Sequence, residues 1–152
     1  EGWLSPEDAQ SIRGEIMLTR GAALLEMERY DEAVTELEAA RQISGSSYVL
    51  LGNLAQAYIM KEEYNSALAV LDETDRLPDL TSVERANSLY MQFAALNQLE
   101  RDAEAAAKLE AALAIIPDNA DWWEYLASTY SRLNRRTDAI RAMERAQQLR
   151  SE

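Results

Sequence analysis

The chain has 152 residues, enough for one compact domain or a short repeat array, and 47% of them are apolar, so a sizeable core can be buried. It contains no Cys and no His, which excludes disulfides, thiol chemistry, Cys/His zinc sites and histidine-based triads. The net charge of −12 argues against binding bare phosphate backbones, and so against nucleic acid, and against anionic membrane surfaces. Five Gly and three Pro are too few for a loop-rich β protein or a disordered tract. No apolar run is long enough to insert into a membrane. The first residue is Glu1 rather than Met, which predicts a processed chain or a segment of a longer one.

Apolar residues recur at helical spacing almost throughout, and no segment alternates with period two for more than a few residues. The pattern predicts eight helices and no strand. Ser5-Pro6-Glu7-Asp8 reads as a helix start, with Ser as cap, Pro at the first position and acids in the first turn. Asp31 and Asn65 mark the next starts, Thr81 and Glu84 form a capping box, and Asp102 and Thr137 or Asp138 mark the last ones. Pro78 and Pro117 fall where helices end.

An internal repeat runs through these helices. Ala33, Ala67, Ala105 and Ala139 are spaced by 34, 38 and 34 residues. Four positions after each stands a large apolar residue: Leu37, Leu71, Leu109 and Met143. Seven after come Ala40, Thr74, Ala112 and Ala146; sixteen before come Met17, Leu51, Leu89 and Trp123; nine before come Leu24, Tyr58, Leu96 and Tyr130. Small residues let antiparallel helices approach and large ones fill the space between them, so each helix pair buries one face internally and another against its neighbour.

On these residues the chain resembles the tetratricopeptide repeat (TPR) family. The resemblance implies an all-α fold, a right-handed superhelix (α-solenoid) of four helix-turn-helix repeats at 14–47, 48–81, 86–119 and 120–152. Residues 1–13 are then an N-terminal leader or an extension of the first helix, and residues 82–85 lengthen the first helix of the third repeat. Trp123, Leu126, Ala127, Tyr130, Ala139, Met143 and Ala146 match the family pattern best; Arg20 and Phe93 depart from it, which implies locally altered packing.

No phosphate loop, Ser-His-Asp set or His-Glu-x-x-His motif occurs, and Asp72, Glu73 and Asp75 lack EF-hand spacing. The expectation is a non-catalytic protein with neither cofactor nor metal. Trp123 falls on a core position, whereas Trp122 reads equally as inter-repeat packing or as a binding surface. Tyr30, Tyr58, Tyr64 and Tyr130 read as core.

The resemblance further implies a concave groove lined by the first helix of each pair, which would take a peptide or protein segment. Carried onto this chain, the lining is Leu18, Ala22 and Leu25; Val49, Asn53, Gln56, Ile59 and Met60; Asn87, Tyr90, Ala94 and Asn97; and Asp121, Glu124, Tyr125, Ser128 and Arg132. Small side chains leave room, apolar ones offer contact, and amides can bond a peptide backbone. The same surface would also suit packing on a neighbouring domain. Asn53 stands at one position of the carboxylate clamp of chaperone-binding members of the family, but Leu18 and Ala22 replace its Lys and Asn in the first repeat, and Asn87 and Met91 replace its basic residues in the third, so a chaperone-tail adaptor is not expected.

Charge is uneven. Residues 132–150 carry +4, whereas the first 38 residues, from Glu1 onward, hold ten acids against Arg13, Arg20 and Arg29. Ile140 and Met143 are expected to face inward with Arg141, Arg145 and Arg150 outside, giving a monomer whose ends attract only weakly. The function expected is an interaction scaffold. The alternatives are a self-assembling structural unit, or an accessory of a bacterial export or uptake system that contacts carbohydrate through Trp122. A bacterial periplasm or envelope setting fits this composition, and the cytoplasm does also.

Overall fold

The computed structural model describes residues 3–152; Glu1, with which both the leader and the acidic N-terminal count begin, lies outside the described residues. Among the described residues there are eight α-helices and no strand: α1 Pro6–Glu26, α2 Tyr30–Ser44, α3 Tyr48–Met60, α4 Tyr64–Asp75, α5 Ser82–Gln98, α6 Asp102–Ile115, α7 Ala120–Arg132 and α8 Arg136–Ser151. They form two compact units, α1–α4 ending at Pro78 and α5–α8 beginning at Asp79.

The first helix of every pair starts from a side-chain cap. Ser5 and Asp8 form a reciprocal capping box, as do Thr81 and Glu84, while Ser47 and Asn119 accept from Leu50 N–H and Trp122 N–H. Residues 6–13 are the first turns of α1, which has 21 residues, and residues 82–85 are the first turn of α5, which has 17, against 13 in α3 and α7.

The second helices start differently. Arg29, Glu63, Arg101 and Arg135 precede them with no side-chain cap. The acids read as starts lie in the first turn, where the helix dipole favours them. Arg29, Arg101 and Arg135 instead bind the carboxylates of Glu32, Glu104 and Asp138, with Nε to oxygen at 2.8 Å in each case.

The turn that forces this entry recurs at the repeat spacing. Glu28, Glu62, Glu100 and Asn134 all have φ between 56° and 61°. In each turn the N–H of the next residue reaches back to a carbonyl five positions earlier, as from Arg29 to Leu24 at 2.9 Å and from Arg135 to Tyr130 at 2.9 Å. This is the Schellman ending, and three of its four left-handed positions are glutamate rather than glycine. A left-handed L-residue costs roughly 1–2 kcal/mol, and glycine gives back about 0.5–1 through its extra unfolded-state freedom. Glu62→Gly is therefore expected to raise stability by about 0.5–1 kcal/mol, and Asn134→Gly by less, since Asn tolerates this region. Urea unfolding of the two variants checks it; a destabilised Glu62→Gly would contradict the turn assignment.

In the first unit, Ala33, Leu37 and Ala40 of α2 are fully buried. α1 passes so close that a Cβ at Gly21 would fall 2.6 Å from the Leu37 side chain, and one at Gly14 would overlap Ser44. α3 packs against both α1 and α2. In the second unit, Ala105, Ala106, Leu109 and Ala112 of α6 are buried, as are Leu126 and Tyr130 of α7, which packs against α6.

One polar contact recurs in both units. Tyr58 of α3 donates its hydroxyl to Glu38 of α2 at 3.2 Å, and Tyr130 of α7 donates to Glu110 of α6 at 2.7 Å. Burial and the neighbouring carboxylate both push these phenols above the ordinary tyrosine range, so each remains a donor. The Arg135 guanidinium lies 4.3 Å over the Tyr130 ring.

Three sequence expectations are corrected. Ile140 and Met143 do not face inward: they are 53% and 39% exposed, because no helix among the described residues lies over that face of α8. Trp122, not Trp123, is the buried tryptophan, at 7% exposure. Trp123 is only partly buried, and its indole N–H donates to the Pro117 carbonyl at 2.9 Å. Tyr130 is buried as expected, but Tyr30, Tyr58 and Tyr64 lie at the margins of the packing and are only partly so.

Candidate interaction surface

In the second unit, α5 and α7 bring together four aromatic rings. Tyr90 and Phe93 are three residues apart on α5, Trp122 and Tyr125 three apart on α7, so each helix turns two rings toward the other. Tyr90 stacks on Trp122 with centroids 5.1 Å apart and planes 12° from parallel. Tyr125 lies 6.3 Å from Tyr90 and 6.2 Å from Phe93. Phe93 and Trp122 form the buried base, whereas Tyr125 is 44% exposed and Tyr90 is partly so. Burial, with Tyr125 and Asp121 nearby, raises the Tyr90 phenol above its ordinary range. The result is a rigid aromatic ledge with an open edge. Phe93, which reads in the sequence as a departure from a small-residue position, is the ring that supports Tyr125 from beneath.

Charged groups beside the ledge are already engaged. Arg132 of α7 donates to Asp102 at 2.9 Å, to Ser128 at 3.3 Å and to Asn97. Arg150 of α8 bonds Asp121 at 2.7 Å and also Glu124. Asn97, Ser128 and Arg132 thus form one network, and Asp121 and Glu124 share one arginine. Asn87 is exposed, and Ala94 is partly buried.

In the first unit the corresponding residues are placed unevenly. Val49, Gln56 and Met60 are exposed; Leu18, Ala22, Asn53 and Ile59 are partly buried. Leu25 is a core residue at 8% exposure, packed with Ala33 and Ala57, so it is not available to line a surface. Trp122 likewise offers no open face for a sugar, since Tyr90 covers its ring. Among the described residues no three carboxylates are grouped as a metal site, and no helix is long and apolar enough to cross a membrane.

The tetratricopeptide-repeat family model matches residues 24–77. No curated protein matches the chain in sequence. Among solved structures, MamA (41-end) from Desulfovibrio magneticus RS-1 superposes with a TM-score of 0.82 at 17% identity, covering 91% of this chain and 76% of that one. The MamA MSR-1 structure gives 0.79 at 20% identity, covering 91% and 77%. The first TPR of Spaghetti (RPAP3), solved bound to the HSP90 peptide SRMEEVD, gives 0.72 at 20% identity, covering 82% and 95%. At these identities the likeness is one of fold.

Proposed function

We propose that this chain, a tetratricopeptide-repeat protein, is a non-catalytic protein-interaction scaffold that takes a peptide or protein segment on the first helices of its repeats, with the α5–α7 aromatic ledge as its principal contact. The observation that carries this reading is Tyr125: a large ring, nearly half exposed, held from behind by Phe93 and Tyr90. A pre-ordered aromatic costs little entropy on binding, and such side chains dominate interface energetics. The segment recognised is apolar or aromatic at its centre. Asn87 and Gln98, both exposed, are the amides free to meet its backbone. Acidic chaperone tails are not the ligand class, because the clamp positions hold Leu18, Ala22, Asn87 and Met91.

The test uses a segment selected on the intact chain from a random peptide library. Tyr125→Ala should weaken its binding by about tenfold, roughly 1.4 kcal/mol, with the helical CD spectrum unchanged. Since the contact is apolar and the nearby charges are internally paired, affinity should change little between low and high salt. Unchanged binding by Tyr125→Ala together with loss in Val49→Asp would move the site to the first unit.

A further inference from the structure

The fourth helix pair leaves open what the first and third pairs bury. In the repeat register Met143 stands where Leu37 and Leu109 stand, and Ile140 where Val34 and Ala106 stand. Leu37, Leu109 and Ala106 are buried in pairs whose second helix has a following first helix, α3 or α7, packed against it. Ile140 and Met143 instead border an open cavity of about 800 Å³ between α7 and α8. The complementary gap lies on α1. Ile16 stands where Leu50 and Trp122 are buried, yet it is 54% exposed beside a second open cavity of about 510 Å³. Among the described residues, no helix packs on either face.

The polar positions of the register also match. Between the third and fourth pairs, Arg132 at the end of α7 bonds Asp102 at the start of α6. On the open faces the equivalent positions hold Glu26, at the end of α1, and Arg136, at the start of α8: the same pair with its charges exchanged. Arg135 lies 3.7 Å from Glu110, and the equivalents are Arg29 and Glu144, with the charges preserved.

We propose that the α7–α8 face of one molecule receives the α1 face of a second copy of this chain, so that copies associate head to tail. Apolar contact by Ile140, Met143 and Ile16 supplies the attraction, and the Glu26–Arg136 and Arg29–Glu144 pairs set the register. Arg20 is the opposing element. It stands where Leu54 and Leu126 are buried, and it enters the contact already paired with Glu36 at 3.1 Å. It holds the association weak. The contact is heterologous, so each added copy leaves one face of each kind open. The expectation of a monomer rested on Ile140 and Met143 being covered.

Sedimentation velocity of the intact chain over a concentration series tests the proposal. The average mass should rise above that of the 17.1 kDa chain with concentration. Ile16→Glu and Ile140→Glu, both at exposed positions, should each be monomeric, while their equimolar mixture forms a one-to-one dimer and nothing larger, because only one intact pair of faces remains. Arg20→Leu should tighten association by about tenfold or more, as a buried Leu replaces a charge. Adding Ile140→Glu to it should restore the monomer. The proposal is overturned if Arg20→Leu stays monomeric, if Ile16→Glu self-associates as well as the parent chain does, or if the mixture of the two glutamate variants does not pair.

Discussion

Replacing Trp122 with alanine is expected to lower the stability of the second unit by about 3–5 kcal/mol, the range for deleting a large buried aromatic. The ring is almost fully buried and stacked on Tyr90, and with Phe93 it supports Tyr125. Its removal empties the space between α5 and α7 and frees both tyrosines. Near-UV CD should lose intensity before the far-UV signal does, as ring packing goes and helices remain. Trp123→Ala should cost distinctly less, because Trp123 is only partly buried and gives up mainly one hydrogen bond, to Pro117. Urea unfolding of the two variants decides the order. A larger loss from Trp123→Ala would reverse the assignment of the core tryptophan and take away the support for the ledge.

Leu37→Ala is expected to cost about 2–5 kcal/mol, since the side chain is fully buried between helices. The sharper expectation concerns Gly21, directly opposite. In the parent chain Gly21→Ala should destabilise: a Cβ 2.6 Å from Leu37 forces that side chain to move, and overpacking of about 1–3 kcal/mol outweighs the roughly 1 kcal/mol that alanine adds to a helix interior. In the Leu37→Ala background the obstruction is gone, so the same substitution should stabilise by up to about 1 kcal/mol. A double-mutant cycle reads this change of sign directly. If Gly21→Ala has the same effect in both backgrounds, α1 and α2 do not meet at that point.

The glycine and the glutamate turns illustrate why local reading stops where it does. Gly21 stands at a helical position in an otherwise ordinary amphipathic stretch, and nothing nearby in the chain reveals that Leu37, sixteen residues on, occupies the space of its missing Cβ. The left-handed residues Glu28, Glu62 and Glu100 carry no glycine signal. Their conformation is imposed by the tight antiparallel return of α2, α4 and α6, whose packing outweighs the local cost.

From its sequence alone, the chain's architecture was determined. The recurrence of Ala33, Ala67, Ala105 and Ala139 with large residues four positions later requires paired antiparallel helices in close approach, and only helices satisfy that spacing. The capping boxes at Ser5 and Thr81 were equally legible, because a cap and its partner lie within one turn. Tertiary structure alone decided which apolar faces are covered. Trp122 and Trp123 differ by 100° around one helix, and periodicity allows either to be core until the position of α5 is known. Met143 shares the spacing of buried Leu37, Leu71 and Leu109, and Ile140 that of buried Ala106, yet no described helix lies over them. Leu25 reads as a surface position and is buried because α2 and α3 close around it. Periodicity measures how side chains are distributed around a helix axis, whereas burial depends on what stands opposite, and that is set by other parts of the chain or by other molecules.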